Sequence, residues 1–122
     1  MSYITYQTPD NLKEKILEFL KNLVENGGKL KKGMNETTKS IERQIAKLVV
    51  IAENVDPPEI VYHIPLLSDE KKIPYAFVTS KEELGKAIGL QVSCSSVSII
   101  NIPKNLESDF EKIIQDIQTL RK

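Results

Sequence analysis

A chain of 122 residues, 40% hydrophobic and 28% charged, has the size and balance of one globular domain with a continuous core, and we expect a single domain over residues 1–122. One cysteine (Cys94) and one histidine (His63) exclude an intrachain disulfide and a zinc site of several cysteines or histidines, and no apolar run approaches the ~20 residues of a membrane span. Basic and acidic residues number 17 each, which argues against a diffusely basic coat, and the opening MSYITYQTPDN lacks the marks of a secretory signal, so a cytoplasmic protein without a membrane partner is expected.

Leu12, Ile16, Phe19, Leu20, Leu23 and Val24 recur at helical spacing, which predicts a first helix over residues 10–26, started near Thr8-Pro9 and stopped by Gly27-Gly28. Lys29-Leu30-Lys31-Lys32 reads as a brief strand or an extended connection. A second helix is predicted from Asn35, as its cap, to Lys47, with Ile41, Ile45 and Leu48 toward the core. Leu48 to Ala52 is apolar at every position and β-branched in its middle, as in a strand covered on both faces.

Pro57-Pro58 can start a helix through Glu59, Ile60, Tyr62 and His63, interrupted at Pro65 and followed by a short turn to Lys72. Residues 74–79 form a second buried strand, and Ser80-Lys81-Glu82-Glu83 matches the Ser-x-x-Glu capping box of a helix that Gly89 ends. A polar loop over 91–95, a strand over 96–102 and a last amphipathic helix built on Leu106, Phe110, Ile113, Ile114, Ile117 and Leu120 complete the chain. Strands alternating with helices imply an α/β fold, a three-layer α/β/α sandwich with a central mixed sheet of about four strands.

Enzymatic readings fail on stated grounds. Cys94 could act as a nucleophile with His63, but it lies in QVSCSSV with no base beside it, and His63 reads as a partly buried structural residue. Neither a Gly-x-Gly-x-x-Gly turn nor a phosphate-loop Gly-Lys-Ser/Thr is present. Glu53, Asp56 and Glu59 read as a solvated acidic rim, and the acidic stretch from Glu53 to Glu70 offers the alternative of a protein-docking face.

Charge is sorted along the chain. Six cations stand against two anions between Gly27 and Lys47, and five anions against two cations between Ile51 and Pro74. Within the basic stretch lies GMNETTKSIER, residues 33–43. Gly33 permits close approach of a ligand, and a helix starting beside it presents free N–H groups and a positive dipole end. Asn35 and Lys39 share a face with Glu36 next to them, an amide, a cation and an acceptor able to read base edges. A phosphate clamp has no use for Glu36, whereas a base reader can accept with it from guanine N–H groups. A plain cap with solvated charges fits the same residues.

From KLKKGMNETTKSIERQIAKLVVIAENVDPPEIVYHIPLLSDEKKIPYAFVTSKEELGKAIG, the chain resembles the archaeal seven-Ae large-subunit ribosomal protein family, which binds kink-turn RNA and has eukaryotic spliceosomal and nucleolar counterparts. The resemblance implies a non-enzymatic protein without cofactor. Such a protein recognises a sharp bend with tandem sheared G·A pairs, whose opened groove admits a helix that ordinary A-form RNA excludes. Asn35, Glu36 and Lys39 would contact the guanines, and Lys32, Gly33 and Arg43 the backbone. Ile60 and Lys81 would line the pocket of the protruding nucleotide. The loop Leu90, Gln91, Val92, Ser93 and Cys94 would form a second wall, Leu90 and Val92 covering unstacked bases. Gln91 stands where the family often has an acidic residue or proline, and Ser93 where it often has proline or a small apolar residue. Implied partners are structured RNAs with kink-turns and other ribonucleoprotein proteins, in the large ribosomal subunit, box C/D and H/ACA guide-RNA particles and ribonuclease P.

Overall fold

The computed structural model describes residues 2–121. Four strands, β1 (Lys29–Lys32), β2 (Leu48–Ala52), β3 (Tyr75–Val78) and β4 (Ser96–Asn101), form one mixed sheet in the order β1-β4-β2-β3. β2 runs parallel to β3 and antiparallel to β4, and β1 is antiparallel to β4. On one face α1 (Asp10–Glu25) packs against α4 (Lys81–Ala87) and α5 (Glu107–Leu120). On the other, α2 (Met34–Glu42) packs against β4, β1 and α3 (His63–Glu70). The α/β/α layering expected from the alternation of elements is therefore observed.

The apolar stripe of α1 enters the core through Leu12, Ile16, Phe19, Leu20 and Leu23, while Val24 stays exposed. Each fully buried side chain of this size stabilises the fold by about 1.5–3 kcal/mol. All five residues of β2 are buried, as its run of apolar residues predicts for a strand inside the sheet. β3 is equally buried although it is an edge strand. Its free edge is covered by the segment ahead of α1: the Tyr6 hydroxyl donates to the Tyr75 carbonyl, and the Phe77 N–H donates to Thr8 Oγ1 at 3.2 Å. Arg121 closes the same edge, lying over the Tyr75 and Tyr6 rings at 4.6 and 5.3 Å while forking onto Asp69 at 2.8 and 3.3 Å.

Two expectations for the helices are corrected. α2 ends at Glu42, not Lys47, because Gln44 adopts a left-handed conformation (φ 56°). The N–H groups of Ile45 and Gln44 then fold back onto the carbonyls of Ser40 and Ile41. Ile45, expected in the core, is left 44% exposed beyond that stop. Pro65 does not interrupt a helix, since Pro58–Ile60 is a separate 3-10 turn and Pro65 sits in the first turn of α3. In that turn a missing N–H costs no helical hydrogen bond.

Burial raises the phenol pKa of Tyr3, Tyr6 and Tyr75 above the usual 10.0. The folded state thus holds these protons more tightly than the unfolded chain, so stability is intact below pH ~10 and declines as pH rises through and above it. Urea midpoints at neutral pH and at pH ~10.5 are expected to differ by more in this protein than in a Tyr6→Phe variant. Equal pH dependence of the two would remove Tyr6 from this account.

Candidate nucleic-acid interface

The start of α2 is set by Gly33, whose φ of 91° and ψ of 161° suit glycine and strain any other residue. Its N–H donates to the Ser96 carbonyl at 2.8 Å, and its carbonyl receives the first helical hydrogen bond, from the Thr37 N–H at 2.9 Å. The N–H groups of Met34, Asn35 and Glu36 stay outside the helical ladder at the positive end of the dipole. Nothing lies within 4 Å of where a Gly33 side chain would begin, so the approach to this backbone is open. Asn35 is not the cap predicted from sequence. It lies inside the first turn and makes no capping hydrogen bond, because Gly33 occupies the cap position.

α2 is tied down along its inner face, and Asn35 and Lys39 stand exposed on its outer face. Ser96 Oγ donates to the buried Thr37 Oγ1 at 3.4 Å, and Thr38 Oγ1 shares a 2.7 Å hydrogen bond with His63 Nε2. His63 is half-buried, as expected, and it joins α2 to α3. On the outer face Lys39 Nζ lies 3.6 Å from Glu36 Oε2, both more than 45% exposed. Arg43 caps the opposite end of α2, roughly 13 Å along the helix from Met34.

Beside Gly33 opens a cavity of about 400 Å³. It brings together Lys32, Gly33, Ile60, Lys81, Leu90 and Ser93, which are separated by up to 61 positions in the chain. Three further lining residues, Val55, Asp56 and Ser95, are not marked by the sequence as parts of this site, and Cys94 lines it as the last residue of the expected loop. Gln91 and Val92 do not line it, and Val92 stands 69% exposed. A larger concavity of about 640 Å³, between α1 and α5, contains none of the expected site residues.

Asn54 organises the cavity and carries no mark in the sequence except its place after a buried strand. Its Oδ1 accepts the Lys81 N–H at 2.8 Å, its Nδ2 donates to Glu82 Oε1 at 3.0 Å, and the Lys81 carbonyl accepts the Cys94 N–H at 3.0 Å. The end of β2, the start of α4 and the 88–95 loop are thereby linked. The predicted capping box is present in its Ser80 half, with Ser80 Oγ accepting the Glu83 N–H at 3.0 Å.

Cys94 is buried, its Sγ donating to the Ser96 carbonyl at 3.2 Å, and burial pushes its thiol pKa up, away from the reactive thiolate. With His63 bonded to Thr38, the Cys94–His63 pair considered from sequence has no observed contact. The acidic rim is also corrected in part, since Glu53 Oε1 pairs with Lys13 Nζ at 2.7 Å and is half-buried; of the longer acidic stretch to Glu70, Asp69 is held by Arg121. Among the described residues no helix is long and apolar enough to cross a membrane.

The loop that forms the far wall rests directly on α4. A Cβ at Gly85 would lie 2.1 Å from the Val92 carbonyl oxygen, so only glycine allows this approach. The Leu90 N–H donates to the Gly85 carbonyl at 2.9 Å, which fixes the loop to the same point.

Comparison with known proteins matches the chain to one family and to a solved structure of the same fold. The model of a family described as ribosomal protein L7Ae/L30e/S12e/Gadd45 matches residues 14–107. The solved structure of a Giardia lamblia 15.5kD RNA binding protein is similar at 31% identity and a TM-score of 0.88, over 97% of each chain. The family is thus described as one of ribosomal proteins, and the solved structure as that of a protein that binds RNA.

Proposed function

The chain belongs to the ribosomal protein L7Ae/L30e/S12e/Gadd45 family of RNA-binding proteins, and on that premise we propose that it recognises and stabilises kink-turns, bent RNAs with tandem sheared G·A pairs. One observation carries this reading: the open helix start at Gly33, with Asn35, Glu36 and Lys39 on α2, adjoins a cavity lined by Ile60, Lys81 and Leu90. A groove-reading helix beside a pocket for one splayed nucleotide is what a sharply bent RNA requires.

In this reading Asn35, Glu36 and Lys39 read the guanines, while Lys32, Gly33 and Arg43 hold the backbone. Ile60 and Lys81 line the pocket of the protruding nucleotide, and Leu90, Gln91, Val92 and Ser93 form a second wall in which Leu90 and Val92 cover unstacked bases. The protein performs no chemical step and serves in the cytoplasm as a platform for other ribonucleoprotein proteins. Because ribosomal RNA, box C/D and H/ACA guide RNAs and ribonuclease P RNA can carry the same bend, one site serves all of them.

The test is titration of the protein into a kink-turn RNA and into the same RNA with its sheared G·A pairs converted to Watson–Crick pairs. At roughly 1–3 kcal/mol per altered pair, the converted RNA is expected to bind at least tenfold more weakly. Equal affinity for the two RNAs would overturn the proposal.

A further inference from the structure

A second groove, of about 360 Å³, runs along β1. Val24, Leu30, Ile88 and Ile100 form its apolar wall, and Lys29, Lys31 and Lys32 stand along it. Lys32 lines both this groove and the cavity beside Gly33, so the groove continues the candidate interface. No acidic side chain lines it, and the three lysines are exposed and take part in none of the ion pairs among the described residues. The larger concavity between α1 and α5 differs in this respect, since Glu14, Glu18 and Asp109 line it together with Lys15 and Lys112.

β1 is an edge strand, paired only with β4 among the described residues. Lys29 and Lys31, two residues apart on an extended backbone, are spaced by roughly 7 Å, the scale of neighbouring phosphates along one RNA strand. Lysine stems can lie on the apolar wall while their ammonium groups reach outward. Such a strip favours an anionic polymer, and the polymer already placed next to it is the RNA at the cavity.

We infer that this groove holds the phosphate backbone of a stem flanking the bound RNA and adds a second, sequence-independent contact through Lys29 and Lys31. The inference rests on the proposed RNA recognition at the cavity. It is tested with a Lys29→Ala/Lys31→Ala double variant, titrated over a range of salt against a kink-turn RNA with both stems full length and against RNAs with each stem trimmed in turn. On the full-length RNA the variant is expected to bind about tenfold more weakly at low salt, with a log–log salt slope shallower by about 1–2, since each lost phosphate contact removes roughly 0.7–0.9. Trimming one of the two stems is expected to abolish the difference from the parent protein, and a Lys29→Arg/Lys31→Arg variant is expected to bind as the parent does.

Unchanged affinity and slope on the full-length RNA, or an equal loss with all the RNAs, would overturn the inference and leave the groove to an extended acidic peptide adding to the β1 edge. A parent protein that bound G·A and Watson–Crick RNAs alike would instead overturn the underlying kink-turn reading, in an arm that needs no variant.

Discussion

A Gly85→Ala variant is expected to lose both stability and RNA affinity. In an exposed helix the same change is favourable by roughly 0.5–1 kcal/mol, because alanine loses less backbone freedom on folding. Here the new Cβ would meet the Val92 carbonyl oxygen at 2.1 Å and the Ser93 Cα at 3.2 Å, atoms of the backbone that no rotamer change can remove. The 88–95 loop must lift from α4, and overpacking of this kind typically costs about 1–3 kcal/mol. Leu90 and Ser93 line the cavity, so lifting the loop moves one of its walls. Urea denaturation and titration of a kink-turn RNA measure the two effects separately. A variant as stable as the parent would show that the loop is not pinned at Gly85.

For Glu36→Ala the expected loss is confined to binding. Glu36 and Lys39 form an exposed pair at 3.6 Å, and pairs of this kind contribute about 0–1 kcal/mol to stability. RNA affinity is expected to fall by about 1–3 kcal/mol, roughly 5- to 150-fold, with a weaker preference for sheared G·A over Watson–Crick pairs. The sign separates two roles for α2. If the helix start only clamped phosphates, removing an anion from a basic patch would tighten binding and leave sequence preference alone. Binding that is unchanged or stronger would therefore remove Glu36 as the guanine reader.

Helix stops show where sequence patterns are informative. Four helices end in the same way, with a left-handed residue after the cap and two N–H groups folded back onto the last turn. At Gly27 and Gly89 that residue is glycine, and both stops are legible in the sequence. After α2 and α3 it is Gln44 and Lys72, which incur a steric penalty in the left-handed region that the tertiary packing overrides. The short turn read from sequence does end at Lys72, but no local signal marks Gln44, so the pattern extends the helix from Asn35 five residues too far and places Ile45 in the core. The fully apolar β3 is legible as buried, but the reason lies outside the strand, in Tyr6, Thr8 and Arg121 covering its edge.

The sequence by itself determined the order of the elements, the buried strands, the Ser80 capping box, the glycine stops and the unusual Gly33-to-Arg43 segment. These features depend on neighbours within a turn or a strand, which is the range over which capping, side-chain alternation and helical periodicity act. Only the tertiary structure decided that Lys32, Ile60, Lys81 and Leu90 share one cavity, that Asn54 links its walls and that Gly85 seats its loop. Those relations arise from strand order and from helix packing across the sheet, and contacts between residues tens of positions apart leave no periodic trace in the chain.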